Sequence, residues 1–303
     1  MKLSHAILAF SALMLSLAAK AQESVPATEA FQFLGFPRSI VSTGMAGAGS
    51  AMTSSCAALS AFENPAVLPV SVGKVDVSAV YSHAISNNFG GGVAVRIGKG
   101  FALSAAVIDQ IHPVKDFGAE YGTFAPNDLM IALGAGAGFG KHFSVGFSAR
   151  IVRQQIMADY VLNGAAFNVM LQYRLNGLSI VAGAANLGSG VKSENETKSP
   201  QPSSARVAVS YEFKLGSSTI DAALDADYYF TRKFGISVGA QYSFRRMIYA
   251  RAGYRFATPG AAFPSHLALG LGFQWKFLCL DISYITANAQ LANSIGAGIS
   301  FCF

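Results

Sequence analysis

The chain has 303 residues, of which 52% are hydrophobic and 13% charged, and its formal net charge is +6. Soluble domains average about 25% charged residues, so the composition argues against a soluble protein, and its apolar content excludes a disordered one. Beyond residue 21 there is no run of about 18 apolar residues, the length that a membrane-spanning helix requires. The basic residues are scattered rather than clustered, which argues against a nucleic-acid partner.

Residues 1–21 have the pattern of a secretory signal peptide. Lys2 precedes an apolar stretch that runs from Ala6 to Ala19, and Ala19-Lys20-Ala21 matches an A-x-A cleavage site. We therefore predict that the protein is exported and that the mature chain begins at Gln22.

Residues 22–73 do not alternate as strands do, and we predict that they form a hatch, a segment packed inside a barrel. The barrel is predicted from the rest of the chain. There, one face of the predicted strands is rich in small residues such as Gly134, Gly136 and Gly270. Small side chains on an inner wall leave room for a segment within the lumen.

From Lys74 to the C-terminus, apolar residues alternate with small or polar ones. Side chains alternate across a β-strand, so each such segment has one apolar face and one small or polar face. The predicted strands span approximately residues 74–84, 88–98, 100–110, 127–139, 142–155, 163–175, 177–188, 204–214, 218–230, 233–245, 247–257, 266–277, 279–287 and 292–303.

The connections between these segments alternate between tight turns and mostly longer loops, which is typical of outer-membrane barrels. We predict an all-β fold, a transmembrane antiparallel β-barrel of about 14 strands over residues 74–303, in the outer membrane of a Gram-negative bacterium. Outer-membrane lipid would then be a partner. The start of the first strand and the end of the last strand would both lie on the periplasmic side. The alternative is a soluble β-sandwich or barrel, but its outer face would be charged rather than rich in Gly, Ala and Ser.

Charged residues on the inward face of three neighbouring predicted strands suggest a paired network, because buried charges need partners. This network either supports the barrel or contacts a substrate. Its predicted members are Asp221, Asp225 and Asp227 on the ninth strand, Arg245 on the tenth, and Arg251 and Arg255 on the eleventh.

Two of the three cysteines, Cys279 and Cys302, have inward parity and lie at the periplasmic ends of the last hairpin. If Asp281 opposes Ser300, then Cys279 opposes Cys302, and opposed residues can lie within disulfide reach. The alternatives are a disulfide between these two residues or two free thiols, and Cys56 stays unpaired in either case.

No catalytic or metal-binding pattern stands out. The chain lacks a G-x-S-x-G nucleophile elbow, and its Cys and His spacings do not match a zinc site. The mature histidines His83, His112, His142 and His266 are interpreted as residues of solvated loops. We expect no enzymatic activity, no cofactor and no metal.

Two N-terminal motifs and two late-strand motifs resemble a known family. Thr43-Gly44-Met45-Ala46-Gly47-Ala48-Gly49 and Glu63-Asn64-Pro65-Ala66 resemble the amino-terminal signature of FadL-like and PorV/PorQ-like outer-membrane proteins. Gly239-Ala240-Gln241-Tyr242 and Arg251-Ala252-Gly253-Tyr254 resemble the family's late-strand motifs. The resemblance implies a fourteen-stranded barrel with an N-terminal hatch. The hatch-motif residues are Gly44, Met45, Gly47, Gly49, Asn64, Pro65 and Ala66.

The resemblance implies two alternative functions. PorV/PorQ-like members take part in type IX protein secretion or attach secreted proteins at the cell surface, so secretion proteins or cargo would be partners. FadL-like members carry hydrophobic small molecules across the outer membrane. The modest loops of this chain favour the first alternative. Phe301 and Phe303 at the C-terminus also resemble the signal that the barrel-assembly machinery reads.

Overall fold

The computed structural model describes residues 29–53, 56–70, 73–98, 100–118, 122–192, 198–286 and 293–303. The predicted signal peptide lies outside the described residues. Within them, fourteen antiparallel strands form a closed barrel, which confirms the predicted fold class. The strands are β1 (Val75–His83), β2 (Asn87–Ile97), β3 (Phe101–Ile111), β4 (Asn127–Phe139), β5 (Phe143–Met157), β6 (Tyr160–Leu175), β7 (Leu178–Leu187), β8 (Ser204–Leu215), β9 (Ser218–Tyr229), β10 (Lys233–Phe244), β11 (Ile248–Ala257), β12 (His266–Trp275), β13 (Leu278–Ile285) and β14 (Ser294–Cys302).

The residues that alternate in the sequence lie on opposite faces of the barrel wall. In β12, Leu269 and Leu271 are exposed on the outer surface, whereas Gly270 between them faces inward and is buried. Large apolar side chains are exposed in the same way around the whole barrel. A closed barrel pairs the backbone groups of every strand, so this apolar outer surface suits a lipid environment.

The connections at one end of the barrel, here named the turn end, all have two or three residues. The opposite end, here named the loop end, has all the longer connections and also three short ones, at residues 84–86, 158–159 and 230–232. At the turn end, Asn176 and Gly177 both have positive φ and join β6 to β7, as expected for a two-residue hairpin turn. β1 begins and β14 finishes at this end, and these two strands pair to close the barrel. At the loop end, two connections carry short ladders, Lys115–Asp116 with Thr123–Phe124 and Val191–Lys192 with Lys198–Ser199.

The N-terminal segment, defined as residues 29–53 and 56–70, packs inside the barrel. It contains a 3₁₀ helix at Gln32–Gly35, the short helix α1 at Ile40–Thr43 and a second 3₁₀ helix at Pro65–Val70. No helix in the described part of the chain is long and apolar enough to span a membrane.

Glycines on the inner wall let the backbone of the N-terminal segment come close to the strands. A Cβ added at Gly253 of β11 would lie 2.3 Å from the carbonyl oxygen of Met45, and one at Gly44 would lie 3.0 Å from the Cα of Gly270. Real Cβ atoms essentially never come as close as the first distance, and the second is tighter than nine in ten real Cβ contacts. The small residues of the inner face therefore provide the space that the N-terminal segment occupies.

Candidate functional site

One side of the lumen is lined by apolar side chains near the loop end. These side chains point inward from four neighbouring strands, and we call them the apolar wall. They are Ala106 and Ile108 of β3, Met130 and Ala132 of β4, Val152 of β5 and Ala166 of β6. Met130 is 1% exposed and Val152 is fully buried, because apolar residues of the N-terminal segment cover them. The covering residues are Phe31, Phe33, Leu34, Leu59, Ala61 and Phe62.

An aromatic ring occupies the space in front of the apolar wall. Phe31 adopts left-handed backbone geometry, with φ of 53°, and its ring contacts that of Phe33 edge-on at 5.9 Å between centroids. A Cβ on Gly164 of β6 would lie 2.5 Å from the Phe31 ring, so this glycine provides the space for the ring. Partly buried Leu162 and Val191 extend the apolar surface towards the loop end. The wall can thus accommodate an aromatic ring.

The apolar wall was not predicted from the sequence, because the inner face was expected to be uniformly small or polar. The alternation pattern nevertheless contains a signal of the wall. Ile108, Met130 and Val152 are large apolar residues at positions whose neighbours of the same parity are small or polar.

Across the lumen, buried charges of β8, β9 and β11 form a compact cluster. Arg206 Nε lies 2.7 Å from Asp227 Oδ1, and Arg255 Nη2 lies 3.4 Å from Asp227 Oδ2. Arg255 also donates from Nε to the carbonyl oxygen of Phe263 at 3.0 Å, and its guanidinium lies 5.0 Å from the centre of the Phe263 ring. Arg255 therefore holds the connection between β11 and β12 over the lumen while it compensates a buried carboxylate.

Asp225 connects this side of the barrel to the N-terminal segment. Its carboxylate accepts hydrogen bonds from the backbone nitrogen of Gly49 at 2.8 Å and from the Ser50 hydroxyl. Gly49 has a φ of +105°, which an L side chain rarely adopts. A residue of the predicted charge network thus binds a residue of the predicted hatch motif.

The remaining inward charges form a second cluster nearer the turn end. Gln241 donates to Asp221 at 3.0 Å and accepts from Arg251 Nε at 2.6 Å. Arg251 Nη1 lies 2.6 Å from Asp281. Arg245 departs from the prediction. It lies in the tight turn after β10 with φ of 53°, is exposed, and places its guanidinium over the Phe244 ring.

The Asn-Pro-Ala motif begins the second 3₁₀ helix. Asn64 Oδ1 accepts from the backbone nitrogen of Ala66 at 2.9 Å, while Asn64 Nδ2 donates to the carbonyl oxygen of Ser50 at 2.8 Å. Ser144 of β5 donates to the carbonyl oxygen of Ala66 at 2.7 Å, which joins the helix to the wall. Met45 of the earlier motif is fully buried and Gly47 has a φ of +86°.

Arg38 and Glu63 join the two parts of the N-terminal segment. Glu63 Oε1 accepts from the backbone nitrogens of Arg38 and Ser39, both at 2.8 Å. Burial lowers the pKa of Arg38 to about 10, and the carboxylates of Asp128 and Glu63 oppose this effect. Arg38 therefore stays charged at neutral pH.

The cysteine pairing differs from both alternatives that the sequence left open. Cys302 forms a disulfide with Cys56, which was expected to be unpaired, and Cys279 stays free. The register explains the difference, because Cys279 opposes Ser300, and Asp281 opposes Gly298 rather than Ser300. The disulfide ties the N-terminal segment to β14.

Two further sets of predicted residues have clear positions. Phe301 and Phe303 stack with Phe277 at centroid distances of 6.3 and 5.3 Å at the turn end, and their role as an assembly signal stays a prediction. His266 is buried rather than on a solvated loop, with Nδ1 at 2.8 Å from the carbonyl oxygen of Pro264.

No model of a known protein family matches the chain, and no curated protein matches it either. Solved structures do match. The monoaromatic hydrocarbon channel CymD has a TM-score of 0.64 and 16% identity, over 87% of this chain and 97% of that one. The Pseudomonas putida toluene transporter TodX has a TM-score of 0.63 and 11% identity, over 88% and 98%. A Pseudomonas aeruginosa FadL homologue has a TM-score of 0.52 and 11% identity, over 91% and 97%.

These similarities establish that the chain has the fold of FadL-type barrels. None of them supports the PorV/PorQ-like part of the resemblance or a part in type IX secretion.

Proposed function

We propose that this protein is an outer-membrane channel for the uptake of small hydrophobic molecules, of about the size of one aromatic ring. The apolar wall is the observation on which the proposal rests. Its side chains form one apolar cluster, against which Leu162 packs near the loop end, and the Phe31 ring of the N-terminal segment already occupies it. The fold is similar to that of proteins described as a monoaromatic hydrocarbon channel and a toluene transporter, which supports the same substrate class.

The N-terminal segment has to move for transport, because it covers the apolar wall. An incoming ring would replace Phe31 at the wall, exchanging one aromatic contact for another at small cost in buried apolar area. Discrete polar contacts, such as those of Asp225 with Gly49 and Ser144 with Ala66, hold the segment in place. Such contacts can break singly and reform.

The exit path is supported by an irregularity in the wall next to Ala166. The register between β6 and β7 shifts between Phe167 and Val169, and Asn186 in the bulge has a φ of 56°. Arg150 bridges Asn168 and Asn186 across this site. A bulge interrupts the hydrogen-bonded ladder, so a hydrophobic molecule on the apolar wall could pass sideways into lipid here. The turn end offers a polar cavity of about 310 Å³, lined by Lys141, His142 and Arg174 among others, which suits such a molecule less well.

The test is the rate at which intact Gram-negative cells without their own hydrocarbon channel take up radiolabelled toluene. Wild-type protein should raise the rate above that of cells with an empty vector, and Phe31→Ala should raise it several-fold further by uncovering the apolar wall. Phe36→Ala is the matched control, since Phe36 packs on Phe263 rather than on the apolar wall.

A hydrophilic solute of similar size measures general leakage and should not enter faster in the Phe31→Ala cells. Uptake equal to that of empty-vector cells would reject the proposal. Co-purification of secretion proteins or cargo with the barrel would then favour the PorV/PorQ-like alternative.

A further inference from the structure

The three cysteines converge at the turn end of the lumen. Cys56 comes from the N-terminal segment, Cys279 from β13 and Cys302 from β14, and their sulfur atoms all lie within 4.8 Å of one another. Cys56 and Cys302 form the disulfide, with Cα atoms 6.0 Å apart, and the Sγ of Cys279 lies 4.0 Å from that of Cys302. A free thiol thus lies beside the disulfide that ties the N-terminal segment to the barrel. The proposed transport function requires this segment to move.

We propose that these cysteines form a thiol–disulfide exchange site whose two disulfide forms tether and release the N-terminal segment. In the tethered form, Cys56 is bonded to Cys302. In the released form, Cys279 is bonded to Cys302, so the bond lies wholly within the barrel and Cys56 is a free thiol.

The exchange balances without an external oxidant or reductant. The Cys279 thiol gives its proton to water, and the thiolate attacks the Sγ of Cys302. The bond between the sulfurs of Cys279 and Cys302 forms as that between Cys302 and Cys56 breaks. The electron pair of the broken bond leaves with the sulfur of Cys56, which then takes a proton from water. One disulfide and one thiol are present before and after the reaction.

The register allows the second pairing but makes it the less favoured one. Cys279 opposes Ser300, so Cys302 is its diagonal neighbour on the same face. Diagonal neighbours are about 7–8 Å apart, just beyond the separation of about 7 Å that a disulfide tolerates without backbone movement. Cys302 is the last residue of β14, and strand ends open locally at low cost. The tethered form should therefore predominate.

The surroundings of the sulfur atoms give the released Cys56 room to withdraw. The three cysteines line one cavity of about 140 Å³ at the turn end. The charged and titratable groups that line it with them are Asp76, Tyr249, Arg251, Lys276 and Asp281. Near the disulfide, the hydrogen bond from the backbone nitrogen of Ala57 to Asp76 Oδ2, at 2.8 Å, joins the N-terminal segment to β1. Breaking the disulfide removes the covalent part of this attachment.

The experiment uses the full chain, purified in detergent without reductant. The protein is incubated at pH 6 to 9, its thiols are alkylated rapidly, and peptides from an unreduced digest are analysed by mass spectrometry. At first, nearly all the label should lie on Cys279. With time a minor fraction should appear on Cys56, about tenfold faster for each pH unit while the attacking thiol remains protonated, because only the thiolate attacks.

Two variants make the outcome decisive. Cys279→Ser should keep the disulfide between Cys56 and Cys302 and show no label on Cys56 at any pH. Cys56→Ser, incubated with oxidised glutathione, should form a disulfide between Cys279 and Cys302, with the glutathione disulfide reduced to two thiols as it accepts the two electrons. The wild-type label distribution decides the question alone if Cys56→Ser fails to fold.

Three results would overturn the proposal. One is a wild-type label that stays on Cys279 at every pH and time. The second is complete labelling of both remaining cysteines in folded Cys56→Ser protein after the incubation with oxidised glutathione. The third is a stoichiometric zinc ion in wild-type protein with all three thiols protected, which would indicate a metal site instead.

Discussion

Gly146 of β5 lies so close to Ala66 that a Cβ on residue 146 would stand 2.1 Å from the backbone nitrogen of Ala66. No side chain other than hydrogen fits there. The second 3₁₀ helix of the N-terminal segment therefore rests directly on the barrel wall, and a glycine at this position allows it to do so.

Gly146→Ala should displace this helix from the wall while leaving the barrel closed. Residues 65–70 should then become sensitive to protease, and the channel conductance in planar bilayers should rise. Gly138→Ala is the matched control, because a Cβ at Gly138 meets its nearest neighbour at 3.7 Å, an ordinary contact. Equal protease sensitivity in the two variants would contradict the prediction.

Asp225→Ala should loosen the N-terminal segment around Gly49. The variant loses the carboxylate that accepts from Gly49 and Ser50. Hydrogen bonds to a charged group contribute about 1.5–3 kcal/mol, so amide hydrogen exchange at Gly49 should accelerate roughly 10- to 100-fold. Glu212→Gln serves as the control, since the ion pairs of the Glu212 carboxylate with Arg246 and Lys214 are long, at 3.6 and 3.7 Å. An unchanged exchange rate at Gly49 in Asp225→Ala would show that other contacts hold the segment.

Arg255→Met should release the connection between β11 and β12 and destabilise the barrel. Removing one partner of a buried ion pair costs about 3–5 kcal/mol, and we expect the lower end because Arg206 still pairs with Asp227. Urea unfolding in detergent would measure the loss. Arg245→Lys, in the exposed turn, should leave the free energy of unfolding unchanged. A comparable loss in both variants would mean that Arg245 does belong to the network.

The alternation of apolar and small residues was sufficient to predict the strands, since the type of each side chain indicates whether it lies on the outer or the inner face. The pairing of the last hairpin was harder to obtain. A shift of two residues keeps every side chain on the same face, so the parity of Cys279 and Cys302 could not distinguish Ser300 from Cys302 as the partner of Cys279. Arg245 was misplaced because parity was extended past the last strand residue into a turn.

The contacts of the N-terminal segment with the barrel could not be predicted from the sequence. They join residues far apart in the chain, such as Gly49 with Asp225 and Cys56 with Cys302. Only the closed barrel brings these residues together. The small inner residues predicted that a segment would fit, but not which side of the lumen its aromatic residues would cover.

The most direct test of the proposed function is photolabelling with a one-ring hydrophobic probe, such as a phenyl diazirine, in outer membranes that contain the protein. Val152 and Ile151 are adjacent on β5, yet Val152 is buried on the apolar wall and Ile151 is 67% exposed on the outer surface. We predict that the probe labels Val152 or Met130 and that excess toluene suppresses this labelling. Outward residues such as Ile151 should also be labelled, and toluene should not suppress their labelling. Label confined to Ile151 and other outward residues would contradict the account.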